Sequence, residues 1–143
     1  MTPEIVFSLA NLLALAGWIV LIVLPRRQSI RLVIGIAVSL LAALYSWLVF
    51  DHFKPANLQN FRSLAGVSTL FQNTSMLLAG WVHYLAFDLM VGTWIKNNAY
   101  KLRIHYGFVL PCLVLTFLLG PLGLLIYLVI RSLITKRYFT ENF

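Results

Sequence analysis

The sequence predicts an all-α, polytopic membrane protein with four transmembrane helices and a short interfacial or re-entrant element before the third, in a single domain of residues 1–143. Three observations support this fold class. Of the 143 residues, 61% are hydrophobic and 10% are charged, and the mean hydropathy is +0.88, which is too apolar for a soluble domain. Apolar runs long enough to cross a bilayer recur along the chain. The basic residues cluster at the ends of these runs.

The charge balance bears on the class of partner. A formal net charge of +7 would suit nucleic acid, but cations at the ends of apolar runs orient helices and touch lipid headgroups. We therefore expect membrane lipid as a partner and no nucleic acid. The single Cys112 lies inside an apolar run, so the sequence predicts neither a disulfide framework nor a cysteine cluster for a metal.

The first two apolar runs predict the first two spans. Residues 5–24 would be roughly 30 Å long at ~1.5 Å per residue, which is one bilayer core. Glu4 precedes this run and the arginines follow it, the reverse of a cleavable signal peptide, so we expect it to stay in the membrane. Residues 32–50 predict the second span. Small residues at four-residue steps predict that the two helices pack as a hairpin; these are Ala10, Ala14, Gly35, Ser39 and Ala43.

The segment between the second and third spans is more polar. Residues 57–62 predict a solvent-facing loop. Residues 64–71 are apolar but too short to span, and we interpret them as a short interfacial or re-entrant element, because backbone at membrane depth must be helical or buried in protein. An amphipathic surface helix fits their length equally well.

Residues 76–95 predict the third span, and its two ionisable side chains mark the candidate site. His83 and Asp88 stand near the middle of the apolar run, where ionisable groups are costly and indicate function. They lie about 140° apart around a helix, so they do not share a face. Either each faces a different neighbour, or both reach into one cavity that wraps the helix. A purely structural hydrogen bond to another helix is the simpler alternative for each. Burial would favour the neutral form of both groups, which makes an acid and a base.

Residues 104–130 are longer than one span needs, and Pro111 and the Gly-Pro-Leu-Gly run at residues 120–123 interrupt them. A single kinked span would leave the basic tail outside, against the positive-inside tendency, whereas a turn back at residues 120–123 would put the tail inside but shorten both arms. We favour the kinked single span. The basic turns at residues 26–31 and 96–103 predict that both face the cytoplasm, with the N-terminus outside.

Two blocks of sequence resemble the abscisic-acid-deficient-4-like family of small four-span membrane proteins. The first is Gly-Trp-Val-His-Tyr-Leu-Ala-Phe-Asp-Leu at residues 80–89, followed by Gly92 and Trp94. The second comprises residues 110–113, 115–117 and 120–125. The resemblance covers roughly the second half of the chain and, less sharply, residues 64–71. Plant members are associated with the formation of neoxanthin from violaxanthin, and they share the core Trp-x-His-x-Leu-x-x-Asp.

The resemblance implies a carotenoid-like isoprenoid as a hydrophobic small-molecule ligand and acid–base isomerisation as the chemistry. Opening a carotenoid epoxide to an allenic alcohol needs one acid and one base, roles that we predict for His83 and Asp88 as catalytic residues and that are typically worth ~10²–10⁴ in rate. It needs no cofactor, and three histidines in separate elements indicate no metal site. The predicted substrate-binding residues are Trp81, Tyr84, Phe87, Trp94 and Thr116. Each aromatic fits a packing or lipid-facing role equally well.

A second class of function remains open from the sequence. A non-catalytic carotenoid or lipid carrier, or an accessory subunit of a larger enzyme, would need the same apolar aromatic surface. A transporter ranks third, because four spans leave little room for alternating access without a homo-oligomer, which the sequence leaves open. The compact chain without an Arg- and Ser-rich transit segment predicts a bacterial inner (cytoplasmic) membrane location.

Overall fold

Helices make up almost all of the computed structural model, which describes residues 2–25 and 27–136. In chain order they are α1 (Pro3–Val23), α2 (Gln28–His52), a 3₁₀ helix (Pro55–Arg62), α3 (Leu64–Phe71), α4 (Thr74–Lys101), α5 (Tyr106–Leu119) and α6 (Pro121–Thr135). The predicted all-α class is confirmed.

Three of these helices are long and apolar enough to cross a membrane. They are α1 with 21 residues, α2 with 25 and α4 with 28, so the shortest is about 31 Å long at 1.5 Å per residue. Their positions match the predicted spans at residues 5–24, 32–50 and 76–95. The chain is therefore an integral membrane protein of the polytopic, all-α type.

The third span is the central helix of the molecule. Helix α4 contacts every other α-helix. Half of the residues in its most apolar stretch are buried, compared with 33% in α1 and 22% in α2. It lies close to α1 at two glycines: a Cβ atom on Gly17 would meet Leu89, and one on Gly92 would meet Trp18. Because Gly17 and Gly92 have no side chains, α1 and α4 can approach each other closely at these points.

Helices α1 and α2 pack together as predicted, but only the small residues of α1 are buried. Ala10 and Ala14 are buried, whereas the predicted stripe of small residues on α2 is exposed, and a Cβ on Gly35 would meet nothing within 4 Å. The buried stripe of α2 consists of Ile34, Ala37, Leu41 and Leu48. The prediction for α2 is wrong because a different set of apolar residues at helical spacing, three of them large, forms its buried face.

The polar segment contains two short helices. The predicted loop at residues 57–62 lies in the 3₁₀ helix, and residues 64–71 form α3. The Ser63 side chain caps α3 by accepting a hydrogen bond of 3.1 Å from the Gly66 amide, as expected for a serine at this position. Helix α3 packs on the 3₁₀ helix and on α4. Its depth in the bilayer stays a prediction.

The fourth apolar segment is a helical hairpin, and the favoured interpretation of a single kinked span is wrong. Helix α5 has 14 residues and α6 has 15, and the backbone turns at Gly120, where φ is +49°. A Cβ on Gly123 would lie 2.2 Å from the backbone nitrogen of Thr116, although residues seven apart in one helix are separated by about 10 Å along its axis. The two helices therefore lie side by side.

The hairpin returns to the end of α4 from which it started. The Tyr127 hydroxyl of α6 donates a hydrogen bond of 2.6 Å to the Asn98 side chain near the C-terminal end of α4. At the other end, Gly120 lies against Asp88, near the middle of α4. The count of four spans is accordingly not confirmed: the described residues contain three membrane-length helices and a hairpin that reaches about half-way along α4.

Candidate functional site

Asp88 lies at the tip of the hairpin. Its side chain is 8% exposed, and a Cβ on Gly120 would be 2.8 Å from Oδ1 and 3.1 Å from Oδ2. Only glycine leaves room for the carboxyl group here, and glycine also tolerates the positive φ of the turn. Within the described residues, Oδ2 is buried and has no hydrogen-bond partner. Such an atom is costly in an apolar interior and indicates a role beyond packing.

Two features of the Asp88 environment act in opposite directions: burial disfavours a negative charge on the carboxyl group, and a nearby helix N-terminus favours one. Gly120 is the residue from which α6 begins, and the first amide groups of a helix carry a partial positive charge that stabilises a nearby carboxylate. The hairpin turn thus brings a helix N-terminus to a carboxyl group in the middle of the membrane-length helix α4.

Tyr84 stands one helical turn before Asp88 on the same face of α4. Its hydroxyl group donates a hydrogen bond of 3.2 Å to the carbonyl oxygen of Leu118, near the end of α5, and it also interacts with the Asp88 carboxyl group. Tyr84 therefore connects Asp88 with the surface above the hairpin tip.

That surface is an apolar groove of about 730 Å³ between α1 and α4. The tip of the hairpin lies against Asp88, one helical turn beyond the lining residue Tyr84. Phe7, Leu77 and Trp81 line its walls and Tyr84 lies at its inner end; the remaining lining residues are Pro3, Glu4, Ser8, Phe71, Thr74, Leu78 and Gly80. From Thr74 to Tyr84 the groove follows α4 for about 15 Å.

Trp81 is held in place from three sides. Its indole nitrogen donates a hydrogen bond of 2.9 Å to the Asn11 side chain of α1. Its ring centroid lies 5.8 Å from that of Phe7 and 5.5 Å from that of Tyr84. Contacts within the protein therefore fix Trp81 in the wall of the groove.

His83 faces a different direction from Asp88. Its side chain is exposed, its ring stacks on Phe87 with centroids 4.4 Å apart, and its centroid lies 5.3 Å from that of Tyr45 on α2. The first of the two alternatives drawn from the sequence describes the structure: His83 and Asp88 have different neighbours.

The predicted substrate-binding residues divide in the same way. Trp81 and Tyr84 line the groove. Phe87 stays with His83, Trp94 packs edge-on against Tyr127 at 5.7 Å, and the Thr116 hydroxyl is buried, donating a hydrogen bond of 2.8 Å to the carbonyl oxygen of Cys112. The structure thus brings Trp81, Tyr84 and Asp88 together and places the other four predicted residues outside this cluster.

Three residues of the site were missed in the sequence. Phe7 and Asn11 come from α1 and Gly120 from the hairpin turn. Asn11 could have been identified from the sequence, because an amide side chain inside a membrane span usually forms a hydrogen bond with another helix. The described residues contain no group of three or more His, Cys, Asp or Glu side chains that could hold a metal ion, and whether the protein uses a cofactor stays a prediction.

Comparison with known proteins gives one result. A family model described as ABA DEFICIENT 4-like matches residues 5–127. This range includes Asp88, the hairpin turn and all groove residues except Pro3 and Glu4. No curated protein and no solved structure matches the chain.

Proposed function

The chain belongs to the ABA DEFICIENT 4-like family, and from this premise we propose that it binds a carotenoid-like isoprenoid in the groove between α1 and α4 and isomerises it there by proton transfer. The observation that carries the proposal is the groove itself. It is apolar and lined by aromatic rings, and it ends at Tyr84, whose hydroxyl group interacts with the buried Asp88 carboxyl group; Asp88 itself does not line the groove.

The lining suits a flat, uncharged chain. Phe7 and Trp81 present ring faces and edges on which a polyene packs. Both side chains are exposed on the apolar flank of the molecule, so a ligand enters from the bilayer without crossing water. An apolar wall with few polar groups is the usual composition of a small-molecule site.

The polar groups at the inner end supply the chemistry of the proposal. Opening an epoxide to an allenic alcohol breaks a carbon–oxygen bond; the oxygen gains a proton, and a carbon of the polyene loses one. The electrons of that carbon–hydrogen bond form the new double bond, so no electron carrier takes part. In the proposal the Tyr84 hydroxyl gives the proton to the oxygen. The ligand extends past Tyr84 to the tip of the hairpin, where the Asp88 carboxylate takes the proton from carbon. The interaction between the two groups then returns the proton to Tyr84.

The predicted role of His83 stays a prediction. A ligand in the groove reaches Tyr84, whereas His83 lies on another face with Tyr45 and Phe87. His83 acts as base only for a ligand that extends around α4 or lies against that outer face.

Pigment analysis of a carotenoid-producing host with and without this chain tests the proposal. We expect a new, isomeric carotenoid with the wild-type chain, and a loss of about 10²-fold or more in its formation for Asp88→Asn, which keeps the shape of the side chain but exchanges no proton. Phe50→Leu, on an exposed residue of α2, serves as the control and keeps full activity. Unchanged pigments with well-expressed protein would contradict the enzymatic proposal.

A carrier is the second candidate, and a specific observation favours it. Asp88 and His83, the acid and base expected from the sequence, do not share a neighbour, whereas the groove needs neither of them to bind an apolar chain. Carotenoid that copurifies with the protein unchanged, in equal amounts for wild type and Asp88→Asn, would support this reading.

A further inference from the structure

The described cations are concentrated at one end of the molecule. The C-terminal end of α4, the adjoining loops and the end of α6 carry seven basic side chains: Arg27, Arg31, Lys96, Lys101, Arg103, Arg131 and Lys136. Of the carboxylates in the described residues, Glu4 and Asp51 lie at the opposite end and Asp88 lies near the middle. In the part of the chain that the structure describes, this basic end therefore has no acidic side chain of its own.

A pocket of about 490 Å³ opens at this end, between the end of α1, the end of α4 and the start of α5. Its wall is mostly apolar, with Val23, Ile104 and Val109 among the lining residues, and Lys96 and Tyr106 supply polar groups. The pocket is separate from the groove at the other end of α1, because the two share no lining residue.

Lys96 is a half-buried cation whose partners are neutral. Its ammonium group donates hydrogen bonds to the carbonyl oxygens of Leu21 and Leu24, the latter at 2.8 Å. An ammonium group has three donors, so one N–H remains for a further acceptor. Tyr106 is fixed next to it by a hydrogen bond of 2.6 Å to the carbonyl oxygen of Ile22, and Lys96 lies 5.6 Å from the centre of its ring.

We propose that this pocket binds one anionic phospholipid, with an acyl chain against the apolar wall and the phosphate against the Lys96 ammonium group. A phosphate would supply the missing counter-charge and accept the remaining N–H, and the surrounding cations would attract it. Basic pockets between membrane helices bind anionic headgroups in this manner. The site is independent of the function proposed for the groove.

Thermal unfolding of the full chain in a neutral detergent tests the proposal. We expect added phosphatidylglycerol to raise the melting temperature in a saturable way, because a ligand that binds only the folded state stabilises it. Phosphatidylcholine should give less than half of this shift, and inorganic phosphate alone should give none, since it has no acyl chain. Equal shifts with the two lipids, or a shift with inorganic phosphate as large as with phosphatidylglycerol, would overturn the proposal.

Two variants locate the effect. Lys96→Met removes the charge but keeps the aliphatic part of the side chain. Val23→Trp fills the pocket, and because Val23 is 70% exposed, this change leaves the core intact. Val23→Trp therefore tests the proposal even if Lys96→Met folds poorly. Each should lose most of the phosphatidylglycerol shift. Lys101→Met removes an exposed charge at the same end that does not line the pocket, and it should keep the shift. A wild-type shift in Val23→Trp would overturn the proposal.

Discussion

Gly120 and Asp88 constrain each other. The turn needs a residue that adopts a φ of +49°, and the carboxyl group occupies the space where a side chain would begin. Because Asp88 lies inside the apolar run at residues 76–95, the sequence indicated that its burial is energetically costly. Nothing near Asp88 in the sequence indicates that Gly120 is its neighbour. Gly120 is far along the chain, and a Gly-Pro pair is compatible with a kink as well as a turn.

Gly120→Ala should destabilise the protein by about 1–3 kcal/mol, because a side-chain residue is strained at this φ and its Cβ would collide with Asp88. Chemical denaturation in detergent measures the change. Gly35→Ala is the matched control: Gly35 lies in α2 with open space around it, so alanine there should be neutral or stabilising by up to about 1 kcal/mol. Equal stability of the two variants would show that the turn is not as described.

Tyr84→Phe separates the aromatic contribution of this residue from its hydroxyl group. The ring remains in the groove, so ligand binding should stay within a few-fold of wild type, whereas proton transfer should fall by about 10²-fold if the hydroxyl takes part. Copurified carotenoid and product formation are measured on the same preparation. Full product formation by Tyr84→Phe would remove Tyr84 from the mechanism and leave the predicted His83 as the partner of Asp88.

The fourth apolar segment shows most clearly where sequence reasoning stopped. The three long spans followed from length and hydropathy alone, because a membrane-length apolar run has few alternatives. For residues 104–130 the same criteria allowed one long helix or two short ones. The contact that decides between them, Gly123 against the backbone of Thr116, depends on which faces of α5 and α6 meet.

Gly123→Leu should separate α5 from α6. Its side chain would have to enter space held by the Thr116 backbone and the Cys112 carbonyl oxygen, and overpacking of this kind costs typically 1–3 kcal/mol or more. We expect a lower folded yield in detergent, measured by size-exclusion chromatography. Leu125→Ala, on an exposed position of α6, should behave like wild type. A wild-type yield for Gly123→Leu would favour a single straight or kinked helix.

The hairpin also resolves a conflict about orientation. As one span, residues 104–130 would carry the basic tail to the outer side, whereas a hairpin brings Arg131 and Lys136 back to the end that holds Lys101 and Arg103. All of these clusters then agree with the positive-inside tendency. The expected cytoplasmic side of the turns at residues 26–31 and 96–103 stays a prediction, as does the bacterial inner membrane.

Cysteine labelling in intact cells and inverted vesicles tests this orientation. In a Cys112→Ala background, Gln28→Cys and Lys136→Cys should react only from the cytoplasmic side, and Ser63→Cys only from the outside. Cys112 itself is buried, so wild-type protein should react from neither side. Labelling of Lys136→Cys from outside would restore the single-span interpretation.

The hydrogen bonds between the hairpin and α4 have a consequence for biosynthesis. Helices α5 and α6 are each too short to be accepted as independent spans, and in lipid the polar groups at the tip would lack partners. At the tip, the Tyr84 hydroxyl donates a hydrogen bond to the Leu118 carbonyl oxygen. At the opposite end of the hairpin, the Asn98 side chain accepts one from the Tyr127 hydroxyl, and both Tyr84 and Asn98 belong to α4. The nascent chain must therefore have α4 in place before the hairpin can enter the bilayer. A truncated chain ending at residue 103 should insert by itself, whereas residues 104–143 should be left at the surface.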